Sequence, residues 1–310
     1  MGVGTSGMPP PLPDASAPPR GFARWPAFAF PAPAVIVLLL MMLFPVGYTL
    51  YLSLTNWTPT AGATPTISGF GNYVKLLTED ERFRHALGRT LLFTLAGVSV
   101  QCVLGVGLAL VFNREFRARG FFRTIFLMSM VATPVAIALV WMMIMDLNTG
   151  VLNYFIELLT GTRIAFLSDR RIVLWSMMLV DTWQWTPFIM LITLAGLSAL
   201  PTEPYESAQI DGASGPQLFW HLTLPMLRPV LMVALMFRSI DALKTFDIIY
   251  VITGGGPAYA SETLNLYIFS QGFAYFNMGY ASAALVLYFI LVMGVSLLFI
   301  RLRRAASEAM

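Results

Sequence analysis

Long apolar runs separated by shorter polar segments dominate the chain: Phe28–Leu52, Thr90–Phe112, Arg123–Met145, Ile172–Leu200, Leu227–Ile252 and Met278–Ile300. A bilayer core of roughly 30 Å needs about 20 apolar residues in helical conformation. Each run therefore predicts one helix that crosses lipid with some tilt. The expected fold is all-α, a polytopic membrane protein with six transmembrane helices. Pro45, Pro134 and Pro187 fall inside these runs. They predict kinks, tolerated where neighbours or cavity water take up the freed carbonyls.

Composition agrees with lipid as the solvent. Of 310 residues, 57% are hydrophobic and 11% charged, against roughly 25% charged in an average soluble domain, and mean hydropathy is +0.72. The net charge is only +3, and the cations fall in short clusters between apolar runs, so nucleic-acid binding is not expected. Cys102 is the single cysteine, which excludes an internal disulfide or thiolate cage and reads as packing. The proline-rich residues 1–27 lack the apolar content of a core and predict a disordered cytoplasmic tail. The apolar run that follows is too long for a cleaved signal peptide and reads as the first span.

Charge distribution bears on orientation. Arg114, Arg117, Arg119 and Arg123 crowd one short connection, and Arg301, Arg303 and Arg304 follow the last span in the tail 301–310. By the positive-inside rule both ends face the cytoplasm. The opposite side carries Lys75, Arg82, Arg84 and Arg89 and then Arg163, Arg170 and Arg171, so the excess is modest and charge alone does not decide.

The segment that decides lies between the fourth and fifth runs, PTEPYESAQIDGASGPQLFWHLTLPMLRP from Pro201 to Pro229. Glu203 to Ile210 predicts a short helix with Thr202 as cap and acids in its first turn. Asp211 and Gly212 stop it, Gly212 by permitting a turn through positive φ. Pro216 opens a second short helix carrying Leu218, Phe219 and Leu222, which Pro225 is expected to end.

YESAQIDGA followed by FWHLTLP resembles the EAA loop of ABC importer permeases, in which a glycine follows the glutamate by six positions, the spacing of Glu206 and Gly212. The resemblance extends from the first span to the last and is densest in FRSIDALKTFDIIYVITGGGP, Phe237 to Pro257. This stretch is similar to the carbohydrate-uptake branch typified by maltose and trehalose permeases. TGGGPAYASETLNLYIF resembles the first of the two unequal permeases that such systems pair. Ser207 departs from the usual alanine, a small-for-small change.

The resemblance implies the ABC importer permease fold and a coupling loop at 201–226 that seats in a cleft on a cytoplasmic ATPase. Glu206, Ser207, Ala208, Asp211 and Gly212 would form its docking surface. The implied partners are a second homologous permease, two ATP-binding subunits, an extracytoplasmic sugar-binding protein and membrane lipid. No cofactor is expected on this chain, since ATP and Mg belong to the ATPase subunits, and no catalytic or metal site is expected. The cargo implied is a small carbohydrate crossing the inner membrane by alternating access. An amphipathic hairpin resting in the membrane interface is the plainer reading of the elbow.

Polar residues within a span cost on the order of 3 kcal/mol at its centre and so face a cavity or a partner helix. Asp181, Gln184, Trp185 and Phe188 recur at three- and four-residue steps on one helical stripe. Carboxylate and amide suit sugar hydroxyls, and indole suits the apolar face of a pyranose. Helix packing or an interfacial belt is the alternative. Arg238, Asp241, Lys244 and Asp247, at steps of three in the fifth run, predict a self-neutralising ladder that is either structural or cavity-lining. Arg238 and Thr245 are cavity candidates by resemblance.

Gly254, Gly255 and Gly256 lack the Lys-Ser or Lys-Thr of a phosphate loop and read as an outer turn. His85 and His221 fall in loops predicted on opposite sides of the membrane and cannot share a metal. An ion-gradient transporter would also need Asp181 or Asp241, but it gives no reason for the elbow. A membrane enzyme lacks a clustered acid, base and nucleophile.

Overall fold

The computed structural model describes residues 30–59 and 64–308, with side chains through Arg303. The tail predicted at residues 1–27 lies outside them. The chain divides into two compact units, Met1–Tyr48 and Thr49–Met310, and helix α1 (Ala32–Ser53) runs from the first into the second.

The described residues are almost wholly helical. Helix α2 (Gly71–Thr78) leads into α3 (Glu81–Asn113), followed by α4 (Arg119–Val131), α5 (Pro134–Ile144), α6 (Val151–Thr160) and α7 (Val173–Ser198). Then come α8 (Glu203–Ile210), α9 (Gly215–Leu218), α10 (Leu224–Leu243), α11 (Asp247–Thr253), α12 (Leu264–Phe269) and α13 (Met278–Glu308). Among the described residues four helical stretches are long and apolar enough to cross a membrane, or six if each of two bent pairs counts as one span. Large apolar side chains such as Val103, Leu139, Phe289 and Ile290 stand exposed on these helices. In water so much apolar surface would drive association, whereas lipid or a partner subunit accommodates it.

Helices α3 and α7 form the centre of the bundle. A Cβ at Gly105 would stand 2.8 Å from that of Ile189, so the missing side chain lets the two backbones approach. Gln101 meets Asp181, Gly105 meets Ile189, and Ala109 and Phe112 pack with Met190 and Leu194. These rising pairs mean that α3 and α7 run in the same direction. The polar elbow that follows α7 therefore lies at the opposite end of the bundle from Glu81. Cys102 packs beside Val106, Leu227 and Leu231.

Three prolines act differently. Pro134 does not kink a continuous helix; it opens α5 after a 102° bend from α4. Thr133 before it is extended (φ −64°, ψ 137°), as the clash with a following proline ring demands. Pro187 lies within α7 and cannot donate to the carbonyl of Trp183, and the hydroxyl of Ser129 stands 3.4 Å from that oxygen. Pro225 does not end a helix. The chain passes from α9 through the π-turn Phe219–Thr223 directly into α10, with Leu224 N–H bonded to Phe219 O. The wider turn precedes the proline, so the helix continues through it.

At the Glu81 end, Asp80 caps α3 by accepting the Phe83 N–H (2.8 Å), and its other oxygen accepts the hydroxyls of Tyr267 (2.6 Å) and Tyr280 (2.9 Å). Burial pushes this carboxyl up, but the bonds from Tyr267, Phe83 and Tyr280 together hold it below the ordinary value. Arg82 forks onto Glu262 (2.8 and 2.6 Å), and its guanidinium lies 3.8 Å from the ring centre of Tyr259. This tie anchors the glycine-rich turn. Gly254 and Gly255 take φ of +57° and +88°, and Ser261 Oγ donates to the Gly256 carbonyl at 2.7 Å.

Candidate functional site: a polar elbow and a buried charge cluster

The elbow is a hairpin of two short arms with no buried residue in either α8 or α9. Thr202 occupies the cap position without a side-chain bond, because its backbone is already helical (φ −86°, ψ −27°). The expectation of a threonine cap is therefore corrected. Asp211 closes α8, and Gly212 turns the chain at φ +80°. A Cβ there would meet nothing within 4 Å, so backbone conformation, not crowding, selects glycine.

The arms hold each other: Ala213 N–H reaches Ala208 O (2.9 Å), and Tyr205 Oη donates to Thr223 Oγ1 (3.0 Å). Within the second arm Gln217 Oε1 accepts the Ser214 N–H (2.7 Å) and caps α9. Between them lies a cleft of about 450 Å3 with Ala208, Asp211, Gly212 and Ala213 on one side and Gln217 and His221 on the other. Glu206, Ser207 and Asp211 are exposed. Among the described residues the carboxylates of Glu206 and Asp211 make no hydrogen bond or ion pair. Neither caps the elbow, so both are free to meet cations elsewhere.

In the bundle the stripe on α7 is only partly brought together. Asp181, Gln184 and Trp185 line a recess of about 100 Å3 with Thr245, Lys244 and Asp247. Phe188 stands outside the recess, its ring 6.4 Å from that of Trp185 in an edge-on contact. Arg238 lies behind the recess at 1% exposure. Its Nη2 pairs with Asp181 Oδ2, Nε donates to Gln101 Oε1 (2.7 Å), and Nη1 donates to Asp241 Oδ2 (3.0 Å). The guanidinium also stands 5.4 Å from the ring centre of Trp185.

Two departures from the sequence expectation follow. Asp181 is tied to Arg238 and to Gln101 Nε2 (2.8 Å) through one oxygen, leaving Oδ1 buried without a partner. The ladder on the fifth span stops after its first rung. α10 ends at Leu243, and among the described residues Lys244 forms no ion pair with Asp241 or Asp247. Tyr288 Oη and Asn265 Nδ2 bond the carbonyls of Leu243 and Lys244 (both 2.9 Å) at this break. Gln101 is not singled out by periodicity or motif, although a lone amide in the second apolar run is a signal of a polar contact within the bundle.

Gln184 is fully buried, and neither its Oε1 nor its Nε2 has a partner. An unmet buried amide costs about 1–3 kcal/mol. With Asp181 Oδ1, these unmet polar atoms lie buried in two of the side chains that line the recess.

Comparison with known proteins agrees with this architecture. Residues 101–307 match the family described as binding-protein-dependent transport system inner membrane component. The chain is 38% identical to a probable ABC transporter permease protein of Sinorhizobium fredii, over 90% of each chain. It is 34% identical to the trehalose/maltose transport system permease protein of Thermococcus litoralis, over 88% of this chain and 91% of that one. A chain in the crystal structure of a bacterial ABC transporter involved in alginate import superposes with a TM-score of 0.78 at 23% identity, over 91% of this chain and 96% of that chain. The chain belongs to the binding-protein-dependent transport system inner membrane components, the multi-pass permease subunits of ABC transporters.

Proposed function

We propose that this chain is one of two unequal permeases in an inner-membrane importer that moves a small carbohydrate, and that its elbow couples the pathway to ATP hydrolysed by partner subunits. The observation that carries the reading is the elbow itself. It is a self-braced hairpin, wholly outside the core, joined without interruption to α10 and hence to Arg238. A rigid lever of this kind passes a push at Gly212 to the end of α10, where the recess lies. The carbohydrate class is supported by the names of relatives such as the trehalose/maltose permease and by the unmet amide and carboxylate oxygen beside Trp185.

In this reading the elbow and both termini face the cytoplasm, two ATPase subunits bind ATP and Mg, and an external binding protein delivers the cargo. The free carboxylates of Glu206 and Asp211 meet cationic groups of the ATPase. Gly212→Trp fills the cleft and forces an L side chain into positive φ, which costs about 1–3 kcal/mol locally. Copurification of the ATPase and ATP-driven uptake in proteoliposomes are expected to fall at least about tenfold, a loss of about 1.4 kcal/mol in coupling, with insertion of the chain preserved. Full retention of both activities contradicts the coupling role.

A further inference from the structure

A recess of about 530 Å3 opens at the Glu81 end of the bundle, between the segment that follows α1, the start of α2 and the π-turn Ser270–Ala274. Its size falls within the roughly 300–1,000 Å3 of small-molecule sites. One set of polar groups is spent on its walls. Asn72 Nδ2 donates to the carbonyls of Ser53 (3.1 Å) and Thr55 (2.8 Å), and Asn277 Nδ2 donates to Gln271 Oε1 (3.2 Å).

A second set is unspent. Among the described residues Gln271 Nε2, Lys75 Nζ, the Asn56 amide and the Trp57 indole N–H make no hydrogen bond. Gln271 is only 8% exposed, so its free amide faces the recess and gains most from a guest that accepts. Lys75 stands 5.7 Å from the Tyr280 ring centre, and Asp80, of opposite sign, lines the same recess.

The walls are fixed before any guest arrives. Gly279 N–H bonds Trp57 O at 3.1 Å, and a Cβ at Gly279 would overlap the Thr55 carbonyl. The segment carrying Asn56 and Trp57 thus lies directly on the first turn of α13. Asn56 N–H bonds Thr66 O (3.0 Å) to close the base of the loop. Preorganisation of this kind lowers the ordering cost of binding.

We propose that this recess is a second carbohydrate site, taking one neutral hexose-sized unit through Gln271, Asn56 and the Trp57 ring. Donors and acceptors in mixed array beside an indole suit sugar hydroxyls and the apolar face of a pyranose. The recess adjoins the first turn of α3, a helix of 33 residues and so about 50 Å long, whose other end approaches the elbow. With the elbow in the cytoplasm the recess opens outward, and cargo meets it before the Gln184 recess. The identity of the guest rests on the proposed carbohydrate function.

The test uses the assembled transporter in lipid nanodiscs with its partner subunits. Trehalose, maltose and maltotriose are first offered to the wild-type complex in proteoliposomes with its external binding protein. If none is taken up, the carbohydrate reading falls and this inference with it. A sugar that is taken up is then titrated by saturation-transfer NMR without the binding protein. Trp57→Ala and the near-isosteric Gln271→Glu are each expected to weaken binding about three- to tenfold. Both should raise the uptake KM by a similar factor while leaving Vmax and basal ATP hydrolysis unchanged. Wild-type binding in both variants overturns the proposal while sparing the importer reading. A shift seen only with the external binding protein present also overturns it, marking the recess as a protein-docking surface.

Discussion

Asp181 holds a buried cation through one oxygen and leaves the other buried and unmet beside the Gln184 amide at the recess, and the two roles have different consequences on substitution. Removing one partner of a buried ion pair leaves the other charge uncompensated, at about 3–5 kcal/mol. Asp181→Ala is therefore expected to lower the thermal midpoint of the purified protein, with Arg238→Met in the same chain restoring much of the loss. Gln184→Met separates the other duty. Among the described residues the side-chain amide of Gln184 bonds nothing, so this change should leave the midpoint unchanged or raised while lowering carbohydrate uptake. Unaltered uptake would remove Gln184 from the cargo pathway. The spacing of Asp181, Gln184 and Trp185 was legible as one stripe, but the partner of Asp181 was not. Arg238 lies 57 positions away along the chain, and helical periodicity carries no information about which faces meet.

Among the elements, α3 and α7 were readable from their apolar runs, because a span obeys one simple demand of length and hydropathy. The breaks were less readable. Pro134 and Pro225 both sit in apolar surroundings, yet one starts a helix after a 102° bend and the other is carried through behind a π-turn. The difference lies in local backbone geometry that residue type does not fix. The fifth run likewise hid the stop at Lys244, where Tyr288 and Asn265 supply donors from distant elements. At the start of α3, Asp80 gathers Phe83, Tyr267 and Tyr280 and is held below its ordinary value of 3.8. A depressed carboxyl contributes stability that is complete above the unfolded pKa and lost as pH falls through the folded one. The melting midpoint should therefore fall as pH drops below about 3.8, with this component absent in Asp80→Asn. Identical pH profiles for the two proteins would contradict the role of the cap.

For the whole molecule, the parallel course of α3 and α7 sets the elbow and the recess beside Trp57 at opposite ends of the bundle. The elbow was legible because polarity, small residues and a positive-φ glycine fall together in one short stretch of sequence. The recess was not, since its lining comes from segments around Trp57, Lys75 and Gln271 that only folding assembles. Coupling across the bilayer requires these two ends to face opposite aqueous compartments. With Cys102 replaced by Ala, single cysteines at Asn56 and Ser214, both exposed, can be treated with a membrane-impermeant maleimide in spheroplasts. Asn56→Cys is expected to label in intact spheroplasts and Ser214→Cys only after permeabilisation. Labelling of Ser214→Cys from outside, with Asn56→Cys protected, would contradict the account.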